Sequence, residues 1–188
     1  MNGTKVKIVE AAIDAFTKGG VRGTNMSAVA AAAGVSRQTL YAYFDTKDAL
    51  LAAVMQHYVV KILRNLEERW AESETVSKKI DVFFDLVVVE PFVILQVHPD
   101  LKDLLLGVGS RTAEVAQQAD KDKTAALVRQ LEPLRDELDR VGSTPDAFGD
   151  FLTRVAIDLK YSCATREELD RRLALLKQSA LALIDKAS

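Results

Sequence analysis

The chain has 188 residues, 48% hydrophobic and 28% charged, a composition that suits a globular protein with a sizeable core and excludes a collagenous, low-complexity or wholly disordered one. The formal charge is −2, so bulk basicity does not point to a polyanionic partner; residues 1–50 nevertheless carry six Lys/Arg against four Asp/Glu, a local +2 that leaves −4 on the rest. The single cysteine, Cys163, excludes an intrachain disulfide, the N-terminal MNGTKVK leads into a helix rather than a signal peptide, and the most apolar run, Val82 to Val97, holds Asp85, Glu90 and Pro91 and is too short to span a bilayer, so the expectation is a cytoplasmic protein with no membrane partner.

The apolar spacing of Ile8, Ala12, Ala15 and Phe16 predicts a first helix over Thr4–Lys18, ended by Gly19-Gly20. After a short connector comes Asn25 to Phe44, NMSAVAAAAGVSRQTLYAYF. Asn25 is an N-cap, Met26 to Ala33 are helix formers, and Gly34 tolerates the left-handed stop that ends a helix. Ser36 caps a second helix, Arg37 to Phe44, whose buried edge is Leu40 and Phe44, four residues apart. Its other positions, Arg37, Gln38, Thr39, Tyr41, Ala42 and Tyr43, make a poor core but a good reading surface. Two short helices on a tight glycine turn read as a helix-turn-helix, in which the second helix enters the DNA major groove; an ordinary hairpin buried in a core is the other reading of the pattern.

Asp45-Thr46 caps a helix beginning at Lys47, with Asp48 in its first turn. No glycine occurs between Gly34 and Gly107 and no proline before Pro91, so this helix can run to about Trp70, roughly 35 Å at 1.5 Å per residue. The stretch AESET, 71–75, is the break. Val76 to Val97 reads as helix, kinked or interrupted at Pro91 and ended by His98-Pro99. A short helix over Asp100–Leu106, closed by Gly107-Val108-Gly109, precedes a polar helix capped by Ser110 and running to about Leu131. Pro133 breaks the pattern. Thr144 and Pro145 start a helix to about Ser162, and Thr165 with Glu168 forms a capping box for the last, Arg166–Lys186. The fold class is therefore all-α.

Thr24-Asn25-Met26, the run AAAGVSRQTLYAYF and D-T-K-D-A-L-L at 45–51 together resemble the TetR family of bacterial transcriptional regulators, over about residues 4–55. The resemblance implies an N-terminal three-helix helix-turn-helix head, residues 1–46, joined by a connecting helix, 47–71, to a C-terminal helical-bundle body for ligand binding and dimerisation, 72–188. It implies a homodimeric regulator, most often a repressor, that binds a palindromic double-stranded operator and is released by a small-molecule effector, apolar or amphipathic. Carried over position by position, Arg37, Gln38, Thr39 and Ala42 would face bases. Tyr41, Tyr43 and Lys47 would face phosphates, together with Thr24 or Asn25 from the neighbouring helix. The chemistry suits these roles: arginine donates two bonds to guanine, glutamine pairs with adenine, and tyrosine hydroxyls and a helix N-terminus suit phosphate oxygens.

In the body, a helical wheel puts Lys78, Asp81 and Asp85 on one side of the 76–97 segment, and Ile80, Phe83, Leu86 and Val87 on the other. Glu90 falls inside the apolar face, where a carboxylate is costly unless paired: it is either an anchor for a ligand or, as is favoured, ion-paired or partly exposed where Pro91 turns the chain. A pocket, if present, is expected to be lined by Phe83, Val87, Glu90, Gln96 and His98. The last two helices carry broad apolar faces, Phe148, Phe151, Leu152, Val155 and Leu159 on one and Leu169, Leu173, Leu176, Ala180 and Leu183 on the other. These either cover each other or form a dimer interface; two heads reaching successive major grooves about 34–36 Å apart favour the dimer. His57 and His98 lack metal-ligand spacing, and no catalytic motif or phosphate loop occurs, so the expectation is a protein that is not an enzyme and has no metal or cofactor. The alternative function is a helical ligand-binding or interaction module that no longer binds DNA.

Overall fold

Helix α1, Gly3–Gly19, presents Ile8, Val9, Ala12 and Phe16 to the interior, four side chains that one stripe of a 3.6-residue period must bury. In this computed structural model residues 3–97 and 110–185 are described, and all their regular structure is helical. The short helix and glycine run expected over 100–109, and His98, lie outside the described residues. Contacts divide the chain into two compact units, residues 1–61 with 94–119 and residues 62–93 with 120–188.

In the first unit α2, Met26–Ala32, packs on α1 and on α3, Arg37–Tyr43, with the start of α4, Lys47–Ala71, completing the core. Met26, Val29 and Ala30 from α2, Leu40 and Phe44 around α3, and Leu50, Leu51 and Val54 from α4 are all buried there. Asn25 caps α2 as expected, its side-chain oxygen accepting the Ala28 N–H at 2.9 Å. The helix ends in a Schellman turn: the Val35 N–H donates to the Ala30 carbonyl at 3.0 Å and the Gly34 N–H to that of Ala31 at 3.1 Å, with Gly34 at φ 65°.

In the second unit Thr75 caps α5, Val76–Phe84, by accepting the Lys78 N–H at 3.2 Å. Trp70 stacks on Phe83 with ring centroids 6.5 Å apart, and its indole N–H donates to the Lys79 carbonyl at 2.9 Å. Residues Asp85–Val89 then form one π-helical turn leading directly into α6, Glu90–Val97. The Glu90 N–H bonds to the Asp85 carbonyl, five residues back. This turn bears on two expectations. The helix runs on through Pro91, and the break in its α-geometry falls in the widened turn just before it, which accommodates a residue that has no N–H to give and a ring that crowds the carbonyl four residues earlier. Glu90 is exposed, not inside the apolar face, because an extra residue in the turn rotates everything after Val89 off the 3.6-residue wheel.

Helix α7, Ser110–Leu131, is followed by a 3-10 turn over Glu132–Leu134, then α8, Arg135–Arg140, α9, Pro145–Ser162, and α10, Arg166–Asp185. Thr144 and Pro145 open α9, the Thr144 hydroxyl accepting the Ala147 N–H at 3.2 Å. At the start of α10 the Glu168 N–H donates to Thr165 at 3.1 Å, and the Glu168 carboxylate reaches back to the Ala164 N–H at 2.9 Å.

The turn glycine of the head provides a direct test. Gly34→Ala introduces no collision, since nothing lies within 4 Å of the new methyl, but it forces an L-residue into the left-handed region. It is expected to cost about 1–2 kcal/mol, with Gly34→Asn costing less, read by urea denaturation.

Candidate nucleic-acid interface

Seven residues make α3, and its placement rests on three local devices. Leu40 is fully buried and Phe44 nearly so, which fixes the inner face. The Ser36 hydroxyl accepts the Thr39 N–H at 3.0 Å and lies 2.8 Å from the Thr39 hydroxyl. With that side pinned, Arg37, Gln38, Tyr41 and Ala42 form an exposed ridge, Tyr41 being 44% accessible. Tyr43 is 36% accessible on the flank. The ridge combines a fork of guanidinium donors, an amide, a phenol and a methyl, the mixture that major-groove edges and phosphates accept.

The remaining predicted contacts divide. Thr39 is only half-exposed and its hydroxyl is engaged with Ser36, leaving its methyl for apolar contact. Asn25 is exposed, with its oxygen used as the α2 cap. Lys47 is half-buried, and desolvation lowers its amine below the usual lysine range. Thr24 does not reach the surface as expected. It is buried, and its hydroxyl donates back to the carbonyls of Gly20 at 2.8 Å and Ala15 at 3.0 Å. Its job is to tie the connector onto the end of α1.

The start of α7 holds the entry to α4 through residues that sequence reasoning missed. Arg111 donates two bonds to the Asp45 carboxylate, at 2.7 and 3.2 Å, and its backbone N–H donates to Asp48 at 3.1 Å. The Thr112 hydroxyl donates to the other Asp48 oxygen at 3.2 Å. The Arg111 guanidinium holds the Asp45 carboxyl below the usual carboxylate range, and the carboxylate in turn raises the guanidinium. No local sequence signal connects positions 66 residues apart.

In the body, the residues expected to line a pocket differ in burial. Phe83 and Val87 are fully buried, Glu90 and Gln96 are exposed, and Gln96 belongs to the first unit. An open groove of about 570 Å³ lies instead along α5 and α10, lined by Ser77, Phe84, Val89, Leu173 and Leu181, with Lys177 donating to Asp81 across it at 2.6 Å. Of the predicted dimer residues, Phe148, Leu152, Leu169, Leu173 and Ala180 are already buried inside the single chain, where they are unavailable to a partner. They are consumed because α9 and α10 pack on each other and on the 76–89 segment. Val155, Leu159 and Leu176 are half-buried, while Phe151 and Leu183 are 53% and 46% exposed, as is Leu175 at 62%, which the sequence reading passed over. No group of His, Cys, Asp and Glu suited to a metal occurs among the described residues.

The second unit also buries a cation. Lys160 is 6% exposed and packs its ammonium 4.6 Å from the Tyr161 ring centroid. Burial, then the nearby Lys123, push its amine down to about 7. A lysine that loses its proton more easily folded than unfolded makes folding more favourable as pH rises between about 7 and the ordinary lysine value of about 10.4. Urea denaturation is expected to show stability rising across that window, and Lys160→Met is expected to abolish the rise.

Comparison with known proteins places this geometry. Residues 8–54 match the model described as bacterial regulatory proteins, tetR family. The HTH-type transcriptional repressor SCO4008 of Streptomyces coelicolor is 27% identical over 139 residues, 73% of this chain and 66% of that protein. The chain spans a half to two thirds of the first curated relatives it matches. Among solved structures, the fatty acid degradation regulator FadR from Bacillus halodurans superposes with a TM-score of 0.67 at 16% identity, covering 94% of this chain and 97% of that one. FadR from Bacillus subtilis in complex with stearoyl-CoA gives 0.63 at 18%, covering 95% and 96%. At these identities the structural likeness speaks to the fold alone.

Proposed function

We propose that this chain, whose residues 8–54 match the model of the tetR family of bacterial regulatory proteins, is a ligand-responsive DNA-binding transcriptional regulator, a homodimeric repressor that binds a palindromic operator and is released by a small-molecule effector. The observation that carries this reading is the ridge of α3. Arg37, Gln38 and Ala42 stand exposed on a helix whose opposite side is locked by Leu40, so they can be offered to base edges without unfolding anything. Tyr41, Tyr43, Lys47 and Asn25 flank it as phosphate contacts, which fix register but carry no sequence information.

The functional division is a DNA-binding head at 1–46, a connecting helix at 47–71 and a ligand-binding and dimerisation region at 72–188. The accessible apolar residues of α9 and α10, Phe151, Leu175 and Leu183, with Val155, Leu159 and Leu176 partly covered beside them, supply the surface for a second copy. Two copies would present two α3 helices to successive turns of one groove. The effector is an apolar or amphipathic small molecule, in keeping with the body's apolar core and with the stearoyl-CoA held by the Bacillus subtilis FadR structure.

A selection from random DNA with the purified full chain tests the proposal. The expected product is an enriched motif of two inverted half-sites whose centres lie about 10 base pairs or a multiple apart, bound with an affinity that falls steeply with salt. Recovery of no motif would reject operator binding and favour a helical interaction module.

A further inference from the structure

The loop that follows the reading helix has an electrostatic problem. Its sequence Asp45-Thr46-Lys47-Asp48 puts two carboxylates on either side of the lysine proposed to meet a phosphate. Thr46 caps α4 through the Ala49 N–H at 3.1 Å, so neither aspartate is needed as the cap. Left free, each carboxylate would oppose a phosphate brought up to the start of α4, within the roughly 8–10 Å over which charges act at physiological salt.

The first turn of α7 answers both. The Arg111 fork closes on Asp45 with two bonds, and the Arg111 backbone N–H and the Thr112 hydroxyl close on the two oxygens of Asp48. All four bonds come from one pair of adjacent residues and converge on two aspartates three positions apart, at the entry to α4 and in its first turn. As a contribution to stability the ion pair counts for little, because its side chains are 51% and 63% exposed. Its effect lies in where the charge sits. Arg111 cancels Asp45, and Asp48 is turned onto the positive start of α7.

We propose that Arg111 and Thr112 are positioning residues of the DNA-facing edge, which hold and neutralise Asp45 and Asp48 so that Lys47 and the start of α4 can approach the operator backbone. This rests on the reading of α3 and α4 as the DNA-binding face. Opening the clamp is then a way to lower affinity without disturbing α3: two carboxylates become free to face the phosphates.

The test uses the full-length protein and the fluorescein-labelled site recovered from the random-DNA selection, with affinity measured by anisotropy at fixed salt and folding checked by circular dichroism. Arg111→Ala is expected to weaken binding about threefold to tenfold, the effect of one uncompensated charge near phosphates. Asp45→Asn is expected to match or exceed wild type, and the double variant Asp45→Asn with Arg111→Ala to return to within about twofold of wild type, because no unpaired carboxylate remains. Three outcomes would overturn the proposal. Arg111→Ala with unchanged affinity would show that the clamp is irrelevant to DNA. A double variant as weak as Arg111→Ala would mean that Arg111 meets the phosphate itself. Equal losses in both single variants, with no rescue, would mean that the contact only holds the loop in shape. Failure of the wild-type protein to bind any DNA would instead refute the DNA-binding reading on which the proposal rests.

Discussion

A seven-residue helix does not persist in water by itself, because nucleation costs more than one or two turns return. The proposed function of this chain depends on such a helix standing in one orientation. What makes that possible is the burial of Leu40 and Phe44 against α1, α2 and α4, with Ser36 closing the helix start and Gly34 setting the angle at which the chain enters it. Burying side chains of this size contributes on the order of 1.5–3 kcal/mol each, several times what the exposed ridge could supply through its own helix propensity. The exposed residues are thereby freed from any structural duty, and this is what allows them to be chosen for chemistry.

The same core shows why much of the head was legible in the sequence. Asn25, Gly34 and Ser36 act on partners within five residues, and Leu40 and Phe44 lie four apart on one face of a helix, so the assignment of each follows from spacing alone. Thr24 was misread because the carbonyls that claim its hydroxyl belong to Ala15 and Gly20, and a threonine just before a cap looks the same whether it points outward or back. The Arg111 clamp was invisible for a stronger form of that reason. Nothing near Arg111 in sequence distinguishes it from the other arginines at the ends of helices.

In the body the errors come from assuming one helical period and one use for each apolar face. The wheel holds through Phe84 and fails after the π turn at Asp85–Val89, which is why Glu90 changes sides. The wide stripes of α9 and α10 could cover each other or a second copy, and spacing alone could not partition them. Leu152 and Leu169 are fully buried in the single chain, whereas Phe151, one residue from Leu152, is left outside. The caps at Thr144 and Thr165 were legible, again because they act locally.

The central claim is that α3 reads bases while its flanks hold the backbone, and the most direct measurement is a binding profile over every single-base variant of the selected site, for wild type, Arg37→Ala and Lys47→Ala. The account predicts that Arg37→Ala loses about 1–3 kcal/mol of discrimination at one base pair of each half-site, while Lys47→Ala weakens all sites alike and keeps the base preferences. An Arg37→Ala variant that weakens every site uniformly, with its base preferences intact, would contradict it.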